Sequence, residues 1–178
     1  MAVSSGKLLA TGMLGLGLAA AVLSIAYRRG QTQRALALWG PEQAATLATA
    51  PVVKALRFDP PLQPSSVTTV GDVVGRASSQ SPNLGGTPGF ATVRQLLVAD
   101  TSFDWQSNPA AEPAAWTLGL EFSDPTHPTV VVLLDPSTRL VRDAETHRTA
   151  RLTSGAAEQL KTFLEGQFAG LGTDMPAK

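Results

Sequence analysis

Residues 8–27 read LLATGMLGLGLAAAVLSIAY, and the absence of any charged side chain in this run constrains the protein more than any other feature. A helix rises about 1.5 Å per residue, so a run of this length extends about 30 Å, the thickness of the hydrocarbon core of a bilayer. A helix in a soluble core normally keeps a polar stripe, whereas this run has none at a helical period. The sequence therefore predicts a transmembrane helix over residues 8–27.

Two interpretations of this run differ in whether it stays on the mature protein. A secretory signal peptide needs a positive start, which Lys7 supplies, and a small-residue cleavage site, which residues 24–26 (SIA) would supply. The run is longer than the usual apolar core of a signal peptide, and Arg28 and Arg29 directly after the cut would resist export. We therefore predict a retained single-pass helix; the alternative is a secreted or periplasmic protein without residues 1–26.

The charges on either side of the run predict its orientation. Lys7 and the terminal amine precede it, and Arg28, Arg29 and Arg34 follow it. Because the more positive flank stays inside, we expect the long C-terminal part in the cytosol and these three arginines at the membrane interface, next to lipid headgroups. Trp39 is a further interface candidate, since its ring is apolar with one polar N–H; the alternative is that it packs against the domain.

Small residues inside the predicted membrane helix could support self-association. Gly15 and Ala19 stand four residues apart, a spacing that lets two membrane helices approach closely. Glycine and alanine are also simply common in membrane helices, and we prefer that explanation. A helix–helix contact through Gly15 and Ala19, and with it a homodimer, stays a hypothesis.

Composition and the positions of turn-forming residues divide the chain into one predicted membrane anchor and one domain. The counts of Lys plus Arg and of Asp plus Glu are both 14, which argues against nucleic-acid binding because that function needs a basic surplus. The remaining length suffices for a single core. We predict the following segments: an N-terminal tail (1–7), the transmembrane helix (8–27), a juxtamembrane helical region (28–50), an α+β soluble domain (51–172) with a flexible loop (75–89), and a C-terminal tail (173–178).

The hydrophobic pattern of the domain predicts an α+β fold. Alternating and β-branched segments joined by short turns indicate a small antiparallel sheet of four or five strands, and helical periodicity indicates two amphipathic helices packed on it. Prolines at 60, 61 and 64 should end the first strand. The predicted strands are 52–58, 115–122, 129–134, 139–142 and 147–152, with 67–74 as a further short strand; the predicted helices are 88–99, capped by Thr87, and the segment that follows a cap at Ser154.

The segment TVVVLL (129–134) is apolar at nearly every position, which is typical of a strand covered on both faces. One layer of helices covers only one face of a sheet. We therefore expect the second face to be covered by the membrane-proximal helix or by a partner, including a second copy of the chain.

Residues that could carry chemistry are few and lack the spacing that catalysis or metal binding needs. There is no cysteine, and His127 and His147 are the only histidines. Neither histidine has a carboxylate at a recognised ligand spacing, and no serine lies in a nucleophile elbow. Gly85-Gly86 precedes a predicted helix but lacks the rest of a phosphate-binding loop. We expect no catalytic residue, no metal and no cofactor.

These observations favour a location over an activity. The prediction is a single-pass membrane protein, not an enzyme, whose domain binds a partner or serves as an assembly subunit at the membrane surface. The alternative is a membrane-tethered or exported enzyme or small-ligand-binding domain, whose site no motif in this sequence reveals.

Overall fold

The computed structural model describes residues 32–63, 69–108 and 114–169. These residues form an α+β fold in which helices pack on a six-stranded antiparallel sheet. The helices are α1 (Gln33–Trp39), α2 (Pro41–Thr49), α3 (Val70–Gly75), α4 (Phe90–Val98) and α5 (Ser154–Ala169), and a 3₁₀ turn spans Asp100–Ser102. The strands are β1 (Val52–Leu62), β2 (Ser79–Gln80), β3 (Trp116–Asp124), β4 (His127–Asp135), β5 (Leu140–Asp143) and β6 (Thr149–Arg151).

The strand order is β2-β1-β3-β4-β5-β6, and every neighbouring pair is antiparallel. The predicted meander from β3 to β6 is confirmed, because turns this short can join only antiparallel strands. Asp124 pairs with His127 across the first hairpin, and Asp135 pairs with Leu140 across the second. Within the described residues the sheet has six strands and not four or five; the two-residue β2 lies in the segment predicted as a flexible loop.

Strand β1 corrects the prediction that the prolines end it at Phe58. Arg57 pairs with Leu118, and pairing resumes where Leu62 meets Trp116. Four residues of β1 therefore lie opposite the single residue between Leu118 and Trp116. Pro60 and Pro61 sit inside this bulge, where no ladder N–H is required, so the strand continues past them.

Helix α3 corrects the prediction of a short strand at 67–74. Thr69 caps it: its hydroxyl accepts a hydrogen bond from the backbone N–H of Asp72 at 3.1 Å and donates one to the Asp72 carboxylate at 2.8 Å. This reciprocal capping outweighs the β-propensity of the valines that follow Thr69. Val73 of α3 is buried against the sheet.

The two predicted amphipathic helices, α4 and α5, start at caps that differ from the predicted ones. Helix α4 begins at Phe90 after Gly89, whose φ of 86° suits glycine, so Thr87 is not its cap. The hydroxyl of Thr153, rather than that of Ser154, accepts from the N–H of Ala156 at 3.4 Å at the start of α5. The predicted apolar face of α5 is buried at Ala157, Leu160, Leu164 and Phe168, and that of α4 is buried at Phe90, Val93 and Leu97, whereas Leu96 on the same predicted face is half-buried.

Strand β4 is buried on both faces by the chain itself. Val130, Val132 and Leu134 belong to a large core under α1, α2, α4 and α5. Val131 and Leu133 belong to a smaller core on the other face, which includes residues of α3 and Trp116. The apolar strand therefore gives no reason to expect a second copy. Strict alternation along 115–122 predicts Trp116 and Leu118 on one face of the sheet, whereas in the structure they lie on opposite faces.

The segment predicted as a flexible loop, 75–89, runs along the edge of β1. The N–H of Ala55 donates to the Ser81 hydroxyl at 2.8 Å, the N–H of Val53 donates to the Asn83 side chain at 2.9 Å, and Leu84 is buried. These bonds satisfy backbone groups that an uncovered edge strand would present to another chain.

Across 32–63, 69–108 and 114–169, no helix combines the length and the apolar character needed to cross a bilayer. The predicted transmembrane helix, residues 8–27, lies outside the described residues.

Candidate functional site

The structure describes two of the predicted site residues. Arg34 is exposed in the first turn of α1, and Trp39 is the last residue of that helix. Arg28 and Arg29, predicted at the membrane interface, and Gly15 and Ala19, predicted as a helix contact, lie outside the described residues.

Trp39 lies in the core of the domain. Its side chain is 0% exposed, and its indole N–H donates to the carbonyl of Leu97 at 2.7 Å. The ring of Phe103 packs edge-on against it, with 6.4 Å between ring centroids. Trp39 therefore packs against the domain, which is the second of its two predicted alternatives.

Helix α1 is held at both ends by side chains from distant parts of the sequence. The Asp100 carboxylate accepts from the N–H groups of Arg34 at 3.1 Å and Ala35 at 2.7 Å, which satisfies donors in the first turn. The Arg148 guanidinium donates to the carbonyl of Ala37 at 2.9 Å, and at 3.3 Å to that of the next residue. Helix α1 is therefore part of the domain and not a free extension of the N-terminal segment.

A basic and aromatic surface extends along α1 from Arg34 to Leu38. Two adjoining concavities, of about 460 and 450 Å³, share Arg34 and Trp105 in their linings. We name the surface the tether face and define it by five residues, which come from α1, the segment after the 3₁₀ turn, and the turns β4–β5 and β5–β6: Arg34, Leu38, Trp105, Arg139 and Arg148.

Trp105 is the fixed aromatic element of the tether face. Its indole N–H donates to the carbonyl of Asp100 at 2.8 Å, and its ring packs on Phe103 with 5.0 Å between centroids. The side chain is half-buried, so one part of the ring remains at the surface. An amphipathic ring held in this way suits a boundary between water and an apolar phase.

A third concavity, of about 540 Å³, opens beside the β1 bulge. Its lining carries both signs of charge, from β1, the end of β4 and α5: Arg57, Asp59, Asp135, Lys161 and Glu165. A polar ligand could enter such a cleft. We call it the bulge cleft.

Asp135 is the buried carboxylate of the bulge cleft, and its oxygens bind the chain. One oxygen accepts from the N–H and the hydroxyl of Ser137, at 2.9 and 2.6 Å, and from the N–H of Thr138 at 3.4 Å. The other accepts from the N–H of Ala115 at 3.0 Å. Burial raises the pKa of Asp135 and these hydrogen bonds lower it, and the net pKa lies below the usual value. The arrangement closes the β4–β5 turn and ties it to the start of β3.

Both histidines are exposed at the surface. His127 starts β4, and His147 lies in the β5–β6 turn with a φ of 60°. Near His127, the hydroxyl of Thr126 donates to Asp124 and lowers the pKa of that carboxyl. Within the residues that the structure describes, no three histidine or carboxylate side chains form a group that could hold a metal ion.

Comparisons with protein-family models, with curated proteins and with solved structures found no match.

An apolar groove separates α4 from α5 on the outer side of the helix layer. It measures about 450 Å³, and half-buried Leu96 and Phe163 form much of its floor. The exposed Thr92 and Thr162 lie on its rim. We call it the α4–α5 groove.

Of the residues of the tether face, the charge pattern of the sequence predicts only Arg34 as a site residue. Arg139 and Arg148 are 105 and 114 residues from Arg34 along the chain, and no local pattern connects them. Only the pairing of β4, β5 and β6 brings these residues beside α1.

Proposed function

We propose that this chain is a single-pass membrane protein whose α+β domain lies at the cytosolic membrane surface and binds a partner protein there, without catalysis. The uncharged run at 8–27 and the positive flank after it support the anchor and its orientation. The partner-binding role is proposed for the α4–α5 groove.

The observation that supports the proposal most is the small number of residues between the apolar run and the rigid part of the domain. Five peptide units separate Tyr27 from Thr32, and a fully extended chain covers at most about 18 Å over that length. Helix α1 begins at Gln33 and is bonded to Asp100 and Arg148. A domain attached in this way stays beside the bilayer, where its partner would also be found.

The α4–α5 groove supports the partner-binding part. Leu96 and Phe163 leave apolar surface uncovered between two helices, a geometry that accepts an apolar helix face. The second candidate function, a small-ligand-binding domain or an enzyme, would use the bulge cleft. Its volume and mixed charges favour that candidate, whereas the engagement of both Asp135 oxygens by the chain argues against a role for this carboxylate as a base.

The anchor is tested by carbonate washing of membranes that contain the full chain. We expect the protein to stay in the membrane pellet and to keep residues 1–26. Release into the aqueous fraction would overturn the anchor, and a mature N-terminus near Tyr27 would show that the segment is a cleaved signal. Because the chain has no cysteine, Ser79→Cys gives a single labelling site in the 75–89 segment. Labelling of S79C by an impermeant maleimide in intact cells would overturn the cytosolic placement.

The partner is tested by pull-down after extraction in mild detergent. We expect a stoichiometric companion with the wild-type chain, and its loss with Thr92→Glu, which adds a charge to the rim of the α4–α5 groove. The matched control is Ala91→Glu, which adds the same charge at an exposed position of α4 outside the groove lining. A solitary wild-type protein would reject the assembly role, and equal loss with both variants would reject the groove.

A further inference from the structure

We propose that the tether face binds the anionic headgroups of the bilayer, so that the domain lies with this face on the membrane and not at the end of a freely rotating stalk. The inference rests on the proposed anchor and adds the orientation of the domain and the lipid class that holds it. The ligand is the phosphate-bearing surface of an anionic bilayer.

The path of the chain limits which side of the domain can meet the membrane. Arg34 is the second residue of α1, and the reach of about 18 Å between Tyr27 and Thr32 keeps the start of α1 close to the lipid surface. Trp105 and Arg148 line the same concavity as Arg34, so they share this proximity. A different side of the domain would need a longer tether to reach the bilayer.

The side chains of the tether face suit the membrane interface, which is rich in phosphate and partly apolar. Within the described ranges, the guanidinium groups of Arg34 and Arg139 make no hydrogen bond or ion pair, which leaves them available to phosphate oxygens. Arg148 uses one terminal nitrogen on the carbonyls of α1 and keeps further donors. Guanidinium binds phosphate through two parallel hydrogen bonds, and the half-buried ring of Trp105 suits the headgroup level.

The acidic groups near the tether face do not cancel its charge. The carboxylate of Asp100 is bonded to the backbone N–H groups of Arg34 and Ala35. Asp104 lines the concavity that holds Arg139, and one of its oxygens accepts from the N–H of Gln106 at 3.2 Å. These hydrogen bonds leave the charge of both carboxylates unchanged, so among the described residues three arginines against two carboxylates give this surface a net charge of +1. The tether face should therefore attract an anionic membrane surface, and the attraction should be strongest at the cytosolic leaflet.

The experiment places the full chain in vesicles and follows one polarity-sensitive label. Gln106→Cys puts the label at an exposed position beside Trp105, near the β6 edge of the sheet. Ser79→Cys puts the label on β2, which is the opposite edge strand. Six strands spaced about 4.8 Å apart separate those edges by about 24 Å. The vesicles are phosphatidylcholine alone or phosphatidylcholine with phosphatidylglycerol. Protection from acrylamide quenching gives the ratio of docked to undocked domains.

We expect the label at 106 to be protected on anionic vesicles and quenched on neutral ones, and the label at 79 to be quenched on both. Arg34→Gln and Arg139→Gln should each lower the docked-to-undocked ratio about fivefold, the effect of one basic residue near an anionic surface. Arg76→Gln is the charge-matched control, because Arg76 is exposed at the end of α3 and outside the tether face. It should leave the ratio unchanged. Thermal melting of each variant checks that the fold is intact.

The outcomes separate this inference from the anchor. Equal quenching at 106 on neutral and anionic vesicles overturns the lipid-binding face, and so does an effect of R76Q as large as that of R34Q. Failure of the chain to float with neutral vesicles overturns the anchor. In that case, binding to anionic vesicles that needs Arg34 and Arg139 but not Arg76 still supports the face, and no binding overturns both.

Discussion

Replacement of Trp39 by phenylalanine tests whether the N-terminal segment is coupled to the core. The indole N–H of Trp39 donates to the carbonyl of Leu97, in the last turn of α4, where carbonyls have no partner within the helix. A buried acceptor that loses its donor costs about 1–3 kcal/mol. The smaller ring also leaves space in a fully buried site, which costs about 1–2 kcal/mol.

The free energy of unfolding should therefore fall by about 3 kcal/mol in W39F, which corresponds to a Tm about 10 °C lower for a domain of this size. The assay is thermal unfolding of the full chain in mild detergent, followed by near-ultraviolet circular dichroism, which reports side-chain packing. Trp105→Phe is the matched control. It removes the same group at a half-exposed position, where water can replace the lost donor, so we expect about 1 kcal/mol or less.

The reasoning would be refuted if W39F unfolded at the wild-type temperature, or if W105F were the more damaging change. If the Trp39 ring lay at headgroup depth, W39F would unfold at the wild-type temperature. The substitution would then alter membrane-dependent fluorescence and leave the unfolding transition in place.

Three further predictions concern stability. Arg94→Met should lower the free energy of unfolding by about 2–4 kcal/mol, since the guanidinium donates to two carbonyls at the end of α2; the urea midpoint measures this, and R94K should recover part of it. The folded-state pKa of Asp135 is depressed, so its stabilisation is present above its unfolded pKa of about 4 and is lost as pH falls through the folded value. Unfolding of wild type and Asp135→Asn between about pH 6 and 2 should show a smaller acid loss in the variant. Gly119→Val should destabilise by about 1–3 kcal/mol, because a Cβ there would lie 3.3 Å from the Phe58 ring, and the Tm measures this.

Each of these predictions has an outcome that would contradict it. An unchanged urea midpoint for R94M would show that water satisfies the two carbonyls. Parallel acid profiles of wild type and D135N would show that Asp135 has the same pKa folded and unfolded. A wild-type Tm for G119V would show that the Phe58 ring moves aside without cost.

Local patterns predicted the sheet from β3 to β6 and the buried faces of α4 and α5. Alternation in β3 and the β-branched run in β4 are short-range signals. The turns that follow these strands contain side chains that bond the nearby backbone, such as Asp135 with Ser137 in the β4–β5 turn. The apolar face of a helix also follows from spacing alone. The buried position of Leu164 on α5 could therefore be predicted without knowledge of its neighbours.

The alternatives that the sequence left open were decided by contacts between distant residues. Trp39 has the same side chain whether it meets a headgroup or Leu97, and only the packing of α1 against α4 selects the core. Pro60 and Pro61 would end a regular strand, but a bulge opposite β3 accommodates them. The second face of β4 is covered by α3, for which the pattern had predicted a strand.

By itself, the sequence determined an uncharged run of membrane-spanning length, a balanced charge and an antiparallel sheet with amphipathic helices, because these depend on composition and short spacings. Only the tertiary structure decided that the helix after the run belongs to the core and that Arg34, Trp105 and Arg148 share one surface. Residues more than 100 positions apart meet through strand pairing and helix packing, and no local pattern records those contacts.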